Sequence, residues 1–257
     1  MVFEVPTRHN AKLQQLVERI NADEELQQLW KCANVNAVDR IGMSDHGAVH
    51  IRIVANAALR IERLLTEADI EPSVVTYHQL TRADAEVIVV LAACLHDLGI
   101  AIHRDGHERY SLILGYPKAR QLLAGIYNEP DLTTMVAEVL HAVIAHRAKE
   151  WCLTLEAGVL KVADALDMTQ GRSRIPFEAG KVNIHSVSAA SIESVSIEKG
   201  IDRPVRIVIQ LSNSAGIFQV DELLKSKLKN SSLAPYVEVE ACLEGETERR
   251  LVQVYTL

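Results

Sequence analysis

The chain has 257 residues and a formal net charge of −7 at pH 7, so it has no general electrostatic attraction to the phosphate backbone of a nucleic acid or to an anionic membrane. Apolar residues make up 48% of the chain and aromatic residues only 4%, which predicts a core built mainly from Ala, Val, Ile and Leu. No stretch approaches the ~18 consecutive apolar residues of a membrane span, no signal peptide is recognisable, and four scattered cysteines form no C-x-x-C pair; we therefore expect a cytoplasmic location.

Helical periodicity runs through the first two-thirds of the chain, where apolar residues recur every three or four positions. The segment 83–100 is apolar almost all round, which predicts a central buried helix. Asp131 directly follows Pro130 and is a plausible N-cap. The helices predicted from this pattern lie within residues 11–20, 22–33, 46–70, 83–100, 109–126, 131–150 and 156–170.

The pattern changes near residue 180, where strand-like alternation replaces helical periodicity. We predict strands within 192–200, 203–212, 236–245 and 249–257, with one amphipathic helix at 220–230. The predicted fold is therefore mainly α: a helical domain over residues 1–178, followed by a small α+β domain over 179–257 with antiparallel strands and one helix.

Nine of the ten histidines lie in the first domain, and several occupy apolar helices where an unpaired imidazole is costly to bury. Together with two aspartates they form a set of nitrogen and carboxylate donors without a thiolate, which suits Zn, Mn, Fe or Ni rather than a sulfur-rich structural site. The candidate ligands are His50, His96, Asp97, His107, His146 and Asp164.

The spacing of these residues constrains how the chain must fold. On one straight helix His146 and Asp164 would lie ~27 Å apart, too far for one metal cluster. We therefore expect a break within 149–158 that makes two antiparallel helices. Because Asp97 has two carboxylate oxygens, it could bridge two ions.

The ordered series of His50, the pair His96 and Asp97 in LHDLGI, His107, His146 and Asp164 resembles the HD superfamily of metal-dependent phosphohydrolases. The resemblance covers residues 46–174. Segments around His146 (VIAHRAKE) and Asp164 (ADALDMTQGRSR) are similar to the HD domain of the ribonuclease Y family, and the fuller chain is similar to a family of HD proteins from archaea.

The resemblance implies an HD-type helical bundle that binds one or two divalent ions, with Mn, Zn, Ni, Co, Fe and Mg as candidates. His50, His96, Asp97 and Asp164 would hold the first ion. Asp97, His107 and His146 would hold the second. A metal-activated water would then attack a phosphomonoester or phosphodiester of a nucleotide or another small phosphorylated metabolite.

Other residues could complete the site. Arg147, Arg172 and Arg174 are candidates for phosphate contacts, with a surface salt bridge as the alternative for each. Glu108 or His103 could transfer a proton to the leaving group, and His103 is also a candidate substrate contact.

Two further histidines compete with these assignments. His46 lies four residues before His50, hence on the same helical face, and is the rival for the first ligand position. His141 lies five residues before His146, ~140° away around the helix, which favours a structural role.

Two alternatives to a phosphohydrolase use the same residues: a di-iron oxygenase, and a non-catalytic nucleotide-sensing or assembly module with a structural metal. The chain has Arg147 where ribonuclease Y has a second histidine, and it contains no KH module, so a small substrate is favoured over RNA. The C-terminal domain has no catalytic constellation, and its position makes it a candidate for self-association into a homo-oligomer.

Overall fold

A computed structural model describes residues 2–169, 188–243 and 254–256. Its helices are α1 (Ala11–Ala22), α2 (Glu24–Asn34), α3 (Ala48–Glu67), α4 (Ser73–His78), α5 (Arg82–Leu95), α6 (His107–Leu123), α7 (Asp131–Ala145) and α8 (Leu155–Leu166). A π-helical segment, Val35–Arg40, continues α2, and a 3-10 turn, Leu98–Ala101, follows α5. The short helix α4 was not among the predicted elements.

Helix α5 is the central element, as its sequence predicted. A capping box between Thr81 and Asp84 starts it, and every residue from Val87 to Leu95 is buried. Helices α1, α3, α7 and α8 pack around it. Its aliphatic side chains belong to one continuous core that also includes apolar residues of the sheet.

Helices α7 and α8 are separate, with a nine-residue connection between Ala145 and Leu155. Thr154 caps α8 by accepting a hydrogen bond from the Ala157 backbone N–H. The two helices pack against each other. The break expected from the spacing of His146 and Asp164 is therefore present.

The C-terminal region forms a four-stranded sheet in the order β1 (Ile192–Lys199), β2 (Val205–Leu211), β3 (Val237–Leu243) and β4 (Val254–Thr256). Between β2 and β3 lie three consecutive helical segments, Gly216–Gln219, Val220–Lys225 and Ser226–Lys229, which together form helix α9.

The prediction of antiparallel strands is wrong for β2 and β3, which pair in parallel; β1 with β2 and β3 with β4 are antiparallel. The reason is α9, because a helix that crosses over between two strands returns the chain in the same direction. The mainly α fold with a small α+β region is confirmed, whereas the boundary at residues 178 and 179 lies outside the described residues and stays a prediction.

No helix in the described part of the chain is both long and apolar enough to cross a membrane.

Candidate metal centre

The pair His96 and Asp97 lies at the turn that ends α5, held against the start of α6. The Gly99 backbone N–H donates to Ser111 Oγ (2.8 Å), and that hydroxyl donates to the His96 carbonyl (2.6 Å). A Cβ atom at Gly99 would lie 2.0 Å from the His107 carbonyl oxygen. Glycine therefore permits the close approach that brings His107 beside the pair.

The structure brings the six candidate ligands together in two groups. One contains His50, His96 and Asp164, and the other contains Asp97, His107 and His146; within each group one donor atom per residue lies within 4.8 Å of the others. All six side chains are buried except Asp164, which is partly buried. The fold therefore brings together side chains whose first and last members, His50 and Asp164, are 114 positions apart in the sequence.

Asp97 belongs to the second group but also faces the histidines of the first. Its Oδ2 atom is 3.2 Å from His96 Nε2 and 3.4 Å from His50 Nε2. Its Oδ1 atom is 3.1 Å from His107 Nε2 and 3.9 Å from His146 Nε2. Each carboxylate oxygen thus faces one pair of histidines, which is the arrangement that a bridging ligand requires.

The outer nitrogen of each of the four histidines lies beside an oxygen acceptor. His96 Nδ1 is 2.8 Å from the Ala93 carbonyl and His146 Nδ1 is 2.5 Å from the Val143 carbonyl. Since a carbonyl can only accept, these Nδ1 atoms carry the proton and leave the Nε2 lone pair facing the centre.

His50 is oriented by a carboxylate in the same way. Nδ1 of His107, in contrast, lies between an acceptor and a donor of the same residue, the Arg104 carbonyl and the Arg104 Nη1 at 2.6 Å, so these contacts do not select its tautomer. His50 Nδ1 is 2.6 Å from Asp167 Oδ2, and His107 Nδ1 is 3.1 Å from the Arg104 carbonyl. His50 Nε2 and His96 Nε2 are only 3.3 Å apart. A buried cluster of lone pairs and carboxylates needs a cation at its centre, so the donor set fits one or two divalent metal ions.

The pKa shifts of the histidines and aspartates in the cluster also indicate that positive charge is favoured between them. Burial lowers the pKa of His96, but Asp97 and Asp164 outweigh it and raise that pKa to about 10. Burial, together with the charge of His96, lowers the pKa of His146 to about 3. Burial opposes ionisation of Asp97 and Asp164, yet neighbouring cationic groups hold the pKa of each carboxyl well below its usual range.

Comparison with known proteins identifies the family of the helical region. Residues 47–169 match the HD domain family model. The chain is also 42% identical to the uncharacterized protein MJ1020 of Methanocaldococcus jannaschii. The alignment extends over 231 residues and covers 90% of this chain and 89% of that protein. The chain belongs to the HD superfamily. No solved structure gives a significant match. Membership of the HD superfamily implies a metal-dependent, hydrolase-type activity.

Two other histidines join neither group of the HD centre, the cluster formed by the six candidate ligands. His46 is buried, its ring is 5.4 Å from that of His50, and its Nδ1 is 2.7 Å from the Ser44 carbonyl. His141 Nε2 accepts a hydrogen bond from the Leu153 backbone N–H at 3.0 Å, which gives it a structural contact in the connection between α7 and α8.

The predicted auxiliary residues lie at different distances from the HD centre. Glu108 is buried, with Oε2 3.6 Å from His107 Nδ1. Arg147 follows His146 and its Nε is 4.0 Å from Glu108 Oε1. His103 is exposed and bonded within its own loop, since it accepts from the Asp105 backbone N–H at 3.0 Å. Arg172 and Arg174 lie outside the described residues.

Three residues beside the HD centre were not predicted from the sequence. Asp167 contacts His50, Arg104 Nη1 is 2.6 Å from His107 Nδ1, and Lys227 of α9 contacts Asp164 Oδ2. Asp167 lies one turn after Asp164, so helical spacing offered a signal for it. Lys227 had none, because a lysine on an amphipathic helix is usually solvated.

Proposed function

We propose that this HD protein hydrolyses a phosphomonoester or phosphodiester bond of a nucleotide or other small phosphorylated metabolite. The observation that carries the proposal is the position of Asp97, whose two oxygens each face a separate pair of histidines. Such an arrangement suits a pair of ions that acts on a phosphoryl group.

In this proposal His50, His96 and Asp164 would hold one ion, His107 and His146 would hold the other, and Asp97 would be available to both. Bound divalent ions would lower the pKa of a coordinated water to about 7 and neutralise charge on phosphate oxygens. Asp167 and the carbonyls of Ala93 and Val143 orient three of the four imidazoles, as the hydrogen bonds to their Nδ1 atoms indicate.

The remaining side chains would handle the substrate and its protons. Glu108 is buried beside His107, where it could protonate the leaving oxygen. Arg104 and Arg147 provide planar cations next to the second group of ligands, suited to paired contacts with phosphate oxygens. Arg172 and Arg174 stay candidates for the same role. His103 stays a candidate at the exposed edge.

The test is hydrolysis of a panel of nucleotides, sugar phosphates and cyclic nucleotides, with Mn, Co, Ni, Zn or Mg added separately. Monoester hydrolysis is measured as release of inorganic phosphate, and diester hydrolysis as formation of the nucleoside monophosphate by chromatography. His96→Ala and Asp97→Ala should each abolish hydrolysis, whereas His78→Ala should not, because His78 belongs to neither group of ligands and pairs with Glu138. Equal activity in wild type and both site variants would contradict the proposal. Dioxygen consumption by the iron-loaded protein without phosphate release would favour the oxygenase instead.

A further inference from the structure

The C-terminal region contributes a charged side chain to the HD centre. Lys227 lies on α9, and its Nζ contacts Asp164 Oδ2. We propose that Lys227 binds the phosphoryl oxygens of the substrate, so that the α+β region forms one wall of the active site. The inference rests on the proposed function and adds to it a substrate contact from outside the segment 47–169 that matches the HD family model.

Helix α9 and the loop after it are fixed against the helical bundle. Asn230 Nδ2 donates to the Ala148 carbonyl at 2.8 Å, and the Asn230 carbonyl accepts from the Cys152 backbone N–H at 3.3 Å. Leu224 and Leu228, which flank Lys227 on α9, are buried. The position of Lys227 is therefore set by packing on both sides of it.

A close approach between α8 and the same loop strengthens this attachment. Ser232 Oγ donates to the Thr154 carbonyl at 3.0 Å. A Cβ atom at Gly158 would lie 2.5 Å from Ser232 Oγ and 3.2 Å from its backbone nitrogen. Since α8 also carries Asp164, this contact ties the loop to the helix that provides a candidate ligand.

Lys227 and the metal would use different oxygens of Asp164. Oδ1 faces the histidines, at 3.4 Å from His50 Nε2 and 3.7 Å from His96 Nε2, whereas Oδ2 faces Lys227. The ammonium can thus stay in place when an ion is bound. It has three N–H donors, and among the described residues Asp164 is its hydrogen-bond partner.

The other lysines of α9 do not approach the centre. Lys225 is exposed and its Nζ lies 2.8 Å from Asp221 Oδ1, while Lys229 is exposed at the end of the helix. The side chain of Lys227 is only 14% exposed. A partly buried ammonium at the edge of a metal cluster can donate hydrogen bonds to the oxygens of an incoming phosphate.

The test compares Lys227→Met, Lys227→Arg and the control Lys229→Met, each with matched thermal unfolding to check the fold. Binding of Mn²⁺ and then of inorganic phosphate to the Mn²⁺-loaded protein is measured by calorimetry, and KM and kcat are measured with whichever substrate wild type hydrolyses. We expect Lys227→Met to weaken phosphate binding ~10–100-fold and raise KM, because a charge-assisted hydrogen bond is lost.

The Mn²⁺ affinity separates a substrate contact from a purely structural ion pair. Removal of a neighbouring positive charge should leave Mn²⁺ affinity unchanged or increase it, and Lys227→Arg should recover part of the phosphate affinity. Loss of Mn²⁺ in Lys227→Met would instead assign Lys227 to positioning Asp164 and overturn the proposal. Unchanged phosphate affinity would overturn it as well.

Failure of this inference is distinguishable from failure of the proposed function. Wild-type protein that neither binds phosphate nor hydrolyses any phosphate ester contradicts the function itself. Wild-type protein that does both, alongside an equally active Lys227→Met variant, contradicts only the role of Lys227.

Discussion

Two of the buried polar side chains of helix α3, His50 and Glu62, lie about 18 Å apart along its axis and have different surroundings. His50 belongs to a cluster in which its Nδ1 lies beside Asp167 and its Nε2 lies among other candidate ligands. Glu62 is completely buried, and neither of its carboxyl oxygens has a hydrogen-bond partner within the described residues. Burial, together with the charges of Glu156 and Glu86, raises the pKa of Glu62 well above its usual value.

This difference teaches that burial of an ionisable group does not by itself indicate a site. The cluster around His50 has donors from several elements that share one centre, and outer hydrogen bonds that orient the rings of His50, His96 and His146. Glu62 lacks both features, so we interpret it as a neutral acid in the core. Substitutions in the cluster around His50 should therefore reduce activity or metal affinity, whereas a neutral substitution of Glu62 should retain activity and increase stability.

The largest effect is expected for Asp97→Asn. The substitution keeps the shape of the side chain but removes the charge that both groups of histidines face. We expect kcat/KM for phosphate release to fall by roughly a thousandfold or more, because stabilisation of the ions and of the transition state is lost together. Asp105→Asn, in the exposed loop before α6, serves as the control. Activity within tenfold of wild type would show that Asp97 does not bridge ions.

Gly99→Ala tests the assembly of the centre without changing any donor. The new Cβ would collide with the His107 carbonyl and, at 2.5 Å, with the Ser111 backbone nitrogen, so we expect a loss of about 3 kcal/mol in the free energy of unfolding. Gly115→Ala, also in this part of the fold, is the matched control: its Cβ would meet Leu95 Cβ at 3.7 Å, an ordinary contact, and the variant should gain up to about 1 kcal/mol. Chemical denaturation of both variants measures the difference, and equal stabilities would contradict the close packing of α6.

Asp167→Asn tests the outer hydrogen bond of His50. An amide orients the imidazole less strongly than a carboxylate does, so we expect Mn²⁺ affinity to fall about 10–100-fold while the fold is retained. Calorimetric titration measures it, with Asp69→Asn, an exposed residue, as control. If the affinity is unchanged, the hydrogen bond to His50 has no part in metal binding.

The smallest effect on activity is expected for Glu62→Gln. The folded-state pKa of Glu62 is raised, so wild type loses stability as pH rises from its unfolded-state pKa, about 4.3, toward the folded-state value. Glutamine has no such loss. The variant should match wild type near pH 4.5 and exceed it by about 1–3 kcal/mol at pH 8, with kcat/KM within about twofold at both pH values. Urea unfolding at the two pH values measures this, and lower stability of Glu62→Gln at pH 8 would show that Glu62 is stabilised as a charged group.

The sequence indicated the six candidate ligands through the ordered series of histidines and aspartates and its resemblance to the HD superfamily, and their spacing predicted the break between His146 and Asp164. It also predicted the central position of α5. The parallel pairing of β2 with β3 was not predicted. The sequence did indicate a helix between these two strands, and a strand–helix–strand order favours a crossover connection and hence a parallel pair.

The contribution of Lys227 could not be predicted in the same way. It depends on how α9 packs against α8, 63 positions earlier in the chain, and on the space that Gly158 leaves for Ser232. Such long-range packing has no local signal, because the alternation of apolar and polar residues in α9 is the same whether Lys227 faces solvent or a metal centre.

Anomalous diffraction from crystals grown with Mn²⁺ tests the central claim most directly. The account predicts one peak among His50, His96 and Asp164 and a second among His107 and His146, with Asp97 between them. Mn²⁺ bound elsewhere on the protein, with no peak at either group of side chains, would contradict it.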